Sequence, residues 1–519
     1  MNYSRKPVIQ NTATCQKNGM LRRDFIKLGV AASIAGLLSP RLLSAAEVAE
    51  KEAMLRTIDV GLPKTKDPKH VLVIGGGMAG LVAAYELKRA GHAVTLLEAS
   101  RRIGGRVWTL REPFTHGLYA EGGAMRIPDA HRLTWRYIDK FGLETQPFIM
   151  ERTKQYLLIG NERRTWAEFQ RDPAIGGLEL KPNERGKTPR QLWNETVKPL
   201  RERYGRGGWD GILKEWGDYT TRQFLERMGW SNDAITFYGI VENQRARLNH
   251  SVTALLWEIL SGSFQNLYEI KGGTDRLPWS FYAGLADDIR FDAKMTEIRQ
   301  DDSSVAVTYK TSLDSIETIR ADHAILAIPF PMLRHVEGLR DFSPIKWAAI
   351  TGLNYDDSGK ILLQCRERFW EAEGIFGGGS ESDLGIRSTW YPQHANDFRG
   401  TGKRGVLLVS YTWARDARYW SHLSAEDRVQ QATEDLERLH PQIKGKKLIE
   451  GGASVMWGSM ENFGGGFALF NPGQEQRYYE VIRKPERRIH FAGEHTSLDH
   501  RWIEGAVESA IRTATEVAG

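Results

Sequence analysis

Gly75, Gly77, Gly80 and Glu98 are the first residues whose types and spacing suggest a chemical role. The glycines form a G-x-G-x-x-G pattern directly after the apolar run 71–74, and Glu98 follows 23 residues after the first glycine. In such a unit the glycines permit a tight turn, the approach of a pyrophosphate to the backbone and the packing of a helix on a strand. The acid is placed to bind a ribose 2′-hydroxyl. The strand, helix, strand and acid occur in the required order, which predicts a dinucleotide site rather than an ordinary glycine-rich turn.

Two further motifs narrow the choice of dinucleotide. Gly104-Gly105-Arg106 places another glycine turn and a cation near the phosphates. Residues 489–496, IHFAGEHT, precede a helical pattern at 503–517. Together the motifs resemble the flavin monoamine oxidase and L-amino-acid oxidase family, most closely its bacterial L-amino-acid oxidases, in which the A-G-E stretch makes the closing flavin contact. The resemblance implies FAD as the cofactor.

The two motifs lie near opposite ends of the chain, which implies that the FAD domain is split by insertions. The predicted fold class is α/β, or α+β overall, with a split Rossmann-type FAD-binding domain, an inserted mixed-sheet substrate domain and a helical subdomain. A leader is expected to pack outside the FAD core. The predicted segments are a twin-arginine signal peptide at 1–46, the leader at 47–69, the FAD-binding domain at 70–106, 263–350 and 480–519, the substrate domain at 107–165 and 351–479, and the helical insertion at 166–262.

The first 46 residues have the features of a targeting segment. Arg22 and Arg23 begin the run RRDFIK, which matches the core of a twin-arginine export signal, although Leu21 stands where Ser or Thr is usual. A short apolar region at 28–38 and small residues at 44–46 suit a cleavable signal, with an uncleaved anchor as the alternative. We therefore expect the twin-arginine machinery to export the protein to the periplasm or the medium.

Composition excludes several classes of partner and site. The net charge of the 519-residue chain is +6, and the first 46 residues carry seven Lys or Arg and one acid, so the remainder is neutral and gives no indication of a nucleic-acid partner. Of the two cysteines, only Cys365 lies outside the predicted signal, which excludes an intramolecular disulfide in the mature chain. Without a cysteine pair or an H-E-x-x-H motif, no metal site is predicted.

Arg126 is the candidate anchor for a substrate. It lies in 122–128, GGAMRIP, whose G-G-A part resembles the flavin-facing strand of amine oxidases. The M-R-I-P extension resembles the L-amino-acid oxidases, in which this arginine binds the substrate α-carboxylate. A planar guanidinium binds a carboxylate bidentately, whereas an amine without a carboxylate offers it no partner. The alternative is a structural arginine paired with Glu121 or Asp129.

Residues of two predicted strands complete the catalytic candidates. Lys360 matches the family lysine that holds a water against flavin N5, although a lysine that opens an apolar strand is otherwise a surface residue. Tyr411 aligns with the family tyrosine whose hydroxyl touches the carboxylate, and Trp413 should share its face of the strand. An aromatic pair in the core is the alternative for these two residues.

Residues near 466 and 502 are predicted to surround the substrate side chain. Trp502 falls where the family places an aromatic residue beside the flavin, and Arg501 replaces the small residue often found before it, so its side chain points elsewhere or narrows the pocket. Gly466 stands where monoamine oxidases carry the cysteine bonded to FAD, which implies non-covalent FAD. Phe467, Trp413 and Trp502 imply an apolar pocket for hydrophobic or aromatic substrates.

The resemblance also implies which residues contact FAD. They belong to the glycine turns, to strand ends and to the start of the last helix. The predicted contacts are Gly75, Gly77, Ala79, Gly80, Glu98, Ala99, Gly105, Arg106, Gly123, Ala124, Met125, Arg126, Met295, Trp457, Gly493, Glu494, Trp502 and Ile503.

The activity implied is oxidation of an L-amino acid by O2 to a 2-oxo acid, ammonia and hydrogen peroxide. The chain has no histidine between His250 and His323, where eukaryotic members place one, so proton removal must use another group or solvent. Three alternatives stay open: a monoamine or polyamine oxidase, against which Arg126 argues, an amino-acid 2-monooxygenase, and a redox-silent FAD-binding protein, against which Arg126 and Lys360 argue. The oligomeric state, a homodimer included, is also open.

Overall fold

A computed structural model describes residues 45–204, 208–392 and 403–519. The predicted export motif at Arg22 and Arg23 lies outside the described residues. None of the helices in the described ranges combines the length and apolar character needed to cross a bilayer.

Runs of strands and runs of α-helices follow one another along the described residues. The strands are β1 (His70–Ile74), β2 (Ala93–Leu97), β3 (Thr109–Leu110), β4 (Ala120–Glu121), β5 (Ile127–Pro128), β6 (Thr145–Pro147), β7 (Tyr156–Ile159), β8 (Glu162–Thr165), β9 (Leu267–Ile270), β10 (Ile289–Arg290), β11 (Lys294–Gln300), β12 (Val305–Lys310), β13 (Ile316–Ala321), β14 (His323–Leu326), β15 (Tyr355–Asp356), β16 (Ser358–Cys365), β17 (Gly379–Ser382), β18 (Ser388–Trp390), β19 (Gly405–Trp413), β20 (Ile449–Met456), β21 (Phe467–Ala468) and β22 (Ile489–Phe491). The α-helices are α1 (Ala45–Val60), α2 (Met78–Ala90), α3 (Arg132–Lys140), α4 (Trp166–Arg171), α5 (Pro189–Tyr204), α6 (Trp209–Trp216), α7 (Thr221–Arg227), α8 (Asn232–Val241), α9 (Val252–Leu260), α10 (Arg276–Leu285), α11 (Phe330–Leu333), α12 (Pro344–Gly352), α13 (Ala414–Ser421), α14 (Ala425–Leu439), α15 (Gln474–Arg483) and α16 (Ile503–Ala518).

A five-stranded parallel sheet forms the nucleotide-binding core, in the order β10-β2-β1-β14-β22. Apolar residues of β1 are buried on both faces, which explains why this strand reads as a continuous apolar run. After β1 the chain turns at Gly75, whose φ of +108° favours glycine, and a Cβ on Gly80 would lie only 1.9 Å from the Gly75 carbonyl oxygen. The strands come from three distant parts of the chain, and this confirms the predicted split α/β fold.

A seven-stranded mixed sheet stands beside this core, in the order β20-β16-β19-β18-β17-β7-β8. Its long central strands β16 and β19 are antiparallel, and their register places Lys360 opposite Tyr411. One face of the sheet packs on α14 through a cluster that includes Leu363, Val409 and Leu436. The register therefore brings two predicted catalytic residues together on adjacent strands.

The remaining helices and strands refine the predicted organisation. Helices α5 to α9 surround an apolar core that contains Trp193, Trp216 and Phe224. Strand β9, which was expected in the second nucleotide-binding segment, pairs instead with β5 and β6. The domain boundaries themselves stay predictions.

The position of the leader, residues 47–69, differs from the prediction. Helix α1 does not lie outside the FAD core, because Met54, Leu55 and Ile58 are buried in the same apolar cluster as α2 and α16. Lys51 also forms an ion pair of 2.7 Å with the buried carboxylate of Glu504 at the start of α16. The spacing of these apolar residues suits one face of a helix, so α1 belongs to the core.

Candidate active site

A cleft opens at the carboxyl ends of β1, β2 and β14, where ligands bind in parallel α/β sheets. On its other side the cleft is bounded by Lys360 of β16 and Tyr411 of β19. The cavity volume of about 390 Å³ lies within the range of small-molecule and cofactor sites, about 300–1,000 Å³.

One end of the cleft has the features required by a pyrophosphate and a ribose. Gly77 is the N-cap of α2 and has no capping side chain, so the first N–H groups of this helix are available to an anion. A Cβ on Gly105 would lie 3.1 Å from the Gly77 Cα atom, which shows how closely the two glycine turns approach. Glu98 lines the same end and accepts hydrogen bonds from Gly76 N at 2.7 Å and Ser100 Oγ at 2.7 Å. This glycine cradle fits the phosphates and ribose of FAD.

Arg106 and Glu494 join the two sequence motifs. Arg106 Nη1 lies 2.7 Å from Glu494 Oε1 and donates to the Gly466 carbonyl oxygen at 3.1 Å. The second carboxylate oxygen of Glu494 accepts from Arg501 N at 2.9 Å. The cation predicted near the phosphates therefore also links the residues that follow β2 to those that follow β22.

Lys360 is a cleft residue with an unusual environment. Its side chain is only 2% exposed, and Nζ donates to the carbonyl oxygens of Glu121 at 3.0 Å and Gly123 at 2.7 Å. Nζ also lies 5.0 Å from the ring centre of Tyr411. Burial lowers the pKa of this ammonium, and the Glu121 carboxylate opposes the shift. Lys360 is thus not the surface residue of the alternative interpretation.

Arg126 lies beside the cleft without an acidic partner. Its guanidinium carbon is 4.8 Å from the ring centre of Trp390 and 5.4 Å from that of Phe148. Burial lowers its pKa, and the Tyr411 side chain acts in the opposite direction. In the described part of the chain no carboxylate lies within 4.0 Å of the Arg126 nitrogens.

The two acids offered as structural partners of Arg126 are bonded elsewhere. Glu121 accepts from Thr109 Oγ1 at 2.9 Å and from Thr274 N at 2.8 Å. Asp129 accepts from Asn266 Nδ2 at 2.7 Å. Glu381 is the acid whose charge raises the pKa of Arg126, and it forms an ion pair of 2.8 Å with Arg152. Arg126 is therefore left available for an anion from outside the chain.

Aromatic residues and a third arginine lie together in the part of the cleft near Tyr411, which is called the substrate end below. Phe467, Arg501 and Trp502 line the cleft, and Tyr411 packs edge-on against Trp413 with ring centres 5.1 Å apart. The Arg501 guanidinium carbon is 5.4 Å from the ring centre of Phe467. A charged group thus lies among the rings predicted to form an apolar pocket, and of the two possibilities for Arg501 the side chain follows the one that narrows the pocket.

Most predicted site residues line the cleft and four do not. Those that line it are Gly75, Gly77, Ala79, Glu98, Ala99, Gly105, Arg106, Gly123, Ala124, Met295, Lys360, Tyr411, Trp457, Phe467, Gly493, Glu494, Arg501, Trp502 and Ile503. Gly80 faces the turn at Gly75, and the Met125 side chain packs in an apolar cluster under the seven-stranded sheet. Arg126 and Trp413 reach the cleft only through Tyr411 and Arg501.

Sequence reasoning missed residues 327–329, which line the cleft after β14. Their signal was the apolar run of β14, because ligands bind at the carboxyl ends of the strands of a parallel sheet. Asn462 and Phe463 were also missed, and they belong to an irregular segment with no local pattern.

Comparisons with known proteins agree with this geometry. The family model described as flavin containing amine oxidoreductase matches residues 78–518, and that of pyridine nucleotide-disulphide oxidoreductase matches residues 36–113. The chain is 40% identical over 474 residues to "Putative L-amino-acid oxidase YobN" of Bacillus subtilis (strain 168), covering 89% of this chain and 98% of the relative. It is 35% identical over 473 residues to an L-amino-acid oxidase of Pseudechis australis, covering 90% of each.

Solved structures with the same fold include amine oxidases of low sequence identity. A variant of putrescine oxidase superposes with a TM-score of 0.70 at 19% identity, covering 87% of this chain and 99% of that one. Cyclohexylamine oxidase from Brevibacterium oxydans IH-35A gives a TM-score of 0.69, also at 19% identity and with the same coverage of each chain.

The parallel sheet, the glycine turns and the cleft define a dinucleotide-binding oxidoreductase. The chain belongs to the family of flavin containing amine oxidoreductases, whose model matches more than half of it. Its cofactor is FAD, and the cradle formed by Gly77, Gly105 and Glu98 provides a site for it.

Proposed function

We propose that this protein is an FAD-dependent L-amino-acid oxidase, which converts an L-amino acid and O2 into a 2-oxo acid, ammonia and hydrogen peroxide. The observation that carries the proposal is Arg126, a guanidinium beside two aromatic rings with no acidic partner among the described residues. Such a group needs an anion, and the α-carboxylate distinguishes an amino acid from an amine. The curated relatives named as L-amino-acid oxidases support the same assignment.

The residues around Arg126 have distinct tasks in this reaction. Two N–H groups of Arg126 bind the α-carboxylate, and the Tyr411 hydroxyl supplies a further donor. FAD, when bound, accepts the two electrons of the oxidation. Lys360 holds its ammonium against the Glu121 and Gly123 carbonyls, where its three donors can also retain a water molecule. The neighbouring rings exclude bulk water, which strengthens each of these polar contacts.

Anaerobic reduction of the flavin tests the activity. Purified protein with bound FAD is mixed without oxygen with each of the twenty L-amino acids, with D-amino acids and with phenethylamine and putrescine. We expect L-amino acids to bleach the visible flavin absorbance quickly and amines to bleach it far more slowly. Bleaching by amines alone would support a monoamine or polyamine oxidase, and no bleaching by any compound would support a redox-silent protein.

The product separates an oxidase from a 2-monooxygenase. After admission of oxygen an oxidase forms one 2-oxo acid and one hydrogen peroxide for each amino acid consumed. A monooxygenase forms an amide and carbon dioxide instead. We expect the 2-oxo acid and peroxide in equal amounts, and accumulation of an amide would contradict the proposal.

The side-chain preference depends on opposing features of the pocket. Phe467, Trp413 and Trp502 favour the hydrophobic or aromatic substrates predicted from the sequence. The guanidinium of Arg501 opposes that preference, because an apolar group beside it offers no acceptor. The sequence-based preference stays a prediction, and amino acids of each class belong in the substrate panel.

Export by the twin-arginine route is part of the proposal. It rests on the motif that begins with Arg22 and Arg23 and on the neutral charge of the rest of the chain. A chain that must bind FAD before export suits a route that carries folded proteins. Replacing both arginines with lysine is expected to leave active enzyme in the cytoplasm, and activity that still appears in the periplasm or medium would indicate another route.

A further inference from the structure

Arg501 occupies a backbone conformation that disfavours its side chain. Its φ is +72°, a left-handed value that bulky residues rarely adopt outside functional sites. Despite this cost, the side chain turns inward and is only 9% exposed. Its guanidinium carbon lies 5.4 Å from the ring centre of Phe467 and 5.9 Å from that of Trp413. The fold therefore holds a cation at the substrate end of the cleft against the local preference of the backbone.

The charge of Arg501 is only partly compensated. Its guanidinium contacts the buried carboxylate of Glu258, but Arg247 Nη1 lies 3.1 Å from the other oxygen of the same group. Another acid near Arg247, Asp356, already accepts from His250 Nε2 at 3.0 Å. Two buried guanidiniums thus share one carboxylate. Burial, followed by the charges of Arg247 and Arg126, lowers the pKa of Arg501 well below its ordinary value.

Two buried donors at this cation have no hydrogen-bond partner among the described residues. They are Arg501 Nε and Trp413 Nε1. Each is a donor, and neither can accept. Leaving such groups unpaired costs folding free energy, so their shared character points to a ligand with acceptor oxygens. A carboxylate supplies two such oxygens and also the missing negative charge.

We propose that Arg501 binds a carboxylate at the end of the substrate side chain, so that the enzyme prefers acidic L-amino acids. This inference rests on the proposed function, because Arg126 then binds the α-carboxylate. The cleft would hold a dicarboxylate between two arginines that approach it from different elements. A hydrophobic side chain in the same place would leave the donors around Arg501 unpaired and the second charge uncompensated.

The glycine variant of Arg501 gives a direct test. Arg501→Gly relieves the left-handed strain and retains the backbone carbonyl, so the variant should fold and bind FAD. Arg501→Met, which retains length without charge, is measured in parallel. The matched control is Arg487→Gly, because Arg487 has a φ of +54° but is exposed and lies outside the cleft.

The first readout is kcat/KM for L-glutamate, L-aspartate, L-glutamine and L-phenylalanine. Wild type is expected to favour one of the two acidic substrates. Losing one partner of a buried charge pair should lower its kcat/KM relative to L-phenylalanine by about 30-fold or more in both Arg501 variants. Arg487→Gly should leave the ratio at the wild-type value.

The second readout is ligand binding to the oxidised holoenzyme. Glutarate and 3-phenylpropanoate correspond to L-glutamate and L-phenylalanine without the amino group, so they bind without being oxidised. Their Kd values are measured from changes in the visible flavin spectrum. Arg501→Gly should raise the Kd for glutarate by about 30-fold or more. It should lower the Kd for 3-phenylpropanoate, because the pocket becomes wider and uncharged.

The outcomes separate this inference from the proposed function. Oxidation of L-phenylalanine in preference to both acidic substrates, with a glutarate Kd unaltered by either Arg501 variant, would overturn the role of Arg501 and leave the oxidase intact. Failure of every L-amino acid to reduce the flavin would overturn the oxidase itself.

Discussion

Removal of the Arg126 side chain should cost activity on amino acids and spare activity on amines. In Arg126→Ala the α-carboxylate of the substrate enters the site without its cation. The rings of Phe148 and Trp390 lie within about 5.5 Å of the guanidinium, and no acid in the described ranges competes for it. The substrate carboxylate would therefore lose its principal partner, with only the Tyr411 hydroxyl remaining.

The size of the expected loss depends on how well water is excluded from the pair formed by Arg126 and the α-carboxylate. Truncating one partner of a buried charge pair costs about 2–5 kcal/mol, whereas an exposed pair contributes about 0–1 kcal/mol. Arg126 is neither fully buried nor exposed, which favours the lower part of the first range, about 2–3.5 kcal/mol. At about 1.4 kcal/mol for each factor of ten, kcat/KM should fall roughly 30- to 300-fold.

The assay compares substrates that differ only in the α-carboxylate. The pairs are L-phenylalanine with phenethylamine and L-glutamate with 4-aminobutanoate. Each kcat/KM is measured for wild type, Arg126→Ala and Arg126→Lys after FAD content has been equalised. The lysine variant should recover only part of the loss, because an ammonium has the charge but not the planar fork.

A variant of a second arginine serves as the control for losing a guanidinium that packs on an aromatic ring. Arg163 lies over the Tyr156 ring at 4.4 Å and does not line the cleft, so Arg163→Ala should leave both substrate classes unaffected. An equal fall for amino acids and amines in Arg126→Ala, with FAD still bound, would refute the reasoning and make Arg126 a structural residue. A wild type that prefers the amines would refute it as well.

Other variants test the cofactor site and the reaction with oxygen. Because Gly466 stands in place of a linking cysteine, acid precipitation should release free FAD into the supernatant, and yellow colour retained in the pellet would indicate a covalent bond. Lys360→Met should slow the reaction of reduced flavin with O2 more than reduction by substrate, whereas stopped-flow traces with an unaltered oxidative phase would exclude this role. Gly80→Ala should abolish FAD loading or folding, because its Cβ would lie 1.9 Å from the Gly75 carbonyl oxygen, and normal flavin content would show that the turn can move. Gly451→Ala is its matched control, since a Cβ there meets no described atom within 4 Å, and it should load FAD normally.

Local sequence predicted the parts of the fold whose causes are local. The turn at Gly75 needs a positive φ and the contact at Gly80 needs the absence of a Cβ, and both requirements can be read from a short stretch of sequence. Both Lys360 and Tyr411 were predicted on strands, but their register could not be predicted, because these strands are continuous buried runs without alternation. Helix α1 was misplaced because its charged residues and the following prolines obscured the spacing of Met54 and Ile58.

Contacts between distant segments could not be predicted in the same way. Arg106 and Glu494 are 388 residues apart, and only the order of β1, β14 and β22 in the sheet brings them within 2.7 Å. The pairing of Arg501 with Glu258 depends on how α9 of the helical insertion docks on the start of α16, for which the sequence has no local signal. The family resemblance identified the two motifs that contain Arg106 and Glu494, but it gave no indication of the contact between Arg501 and Glu258.

Arg501 is the position at which local propensity and tertiary structure disagree most directly. A left-handed residue at the start of a helix favours glycine, and the buried cation that replaces it needs a counter-charge that Glu258 provides only jointly to Arg247. Conflicts of this kind are expected at functional sites, because elsewhere a substitution to glycine would remove the strain without loss. Arg126, which lies near Tyr411, is a second such cation, and no acid among the described residues forms an ion pair with it. Two arginines that lack full compensation beside one cleft are most simply explained by a substrate that brings two carboxylates.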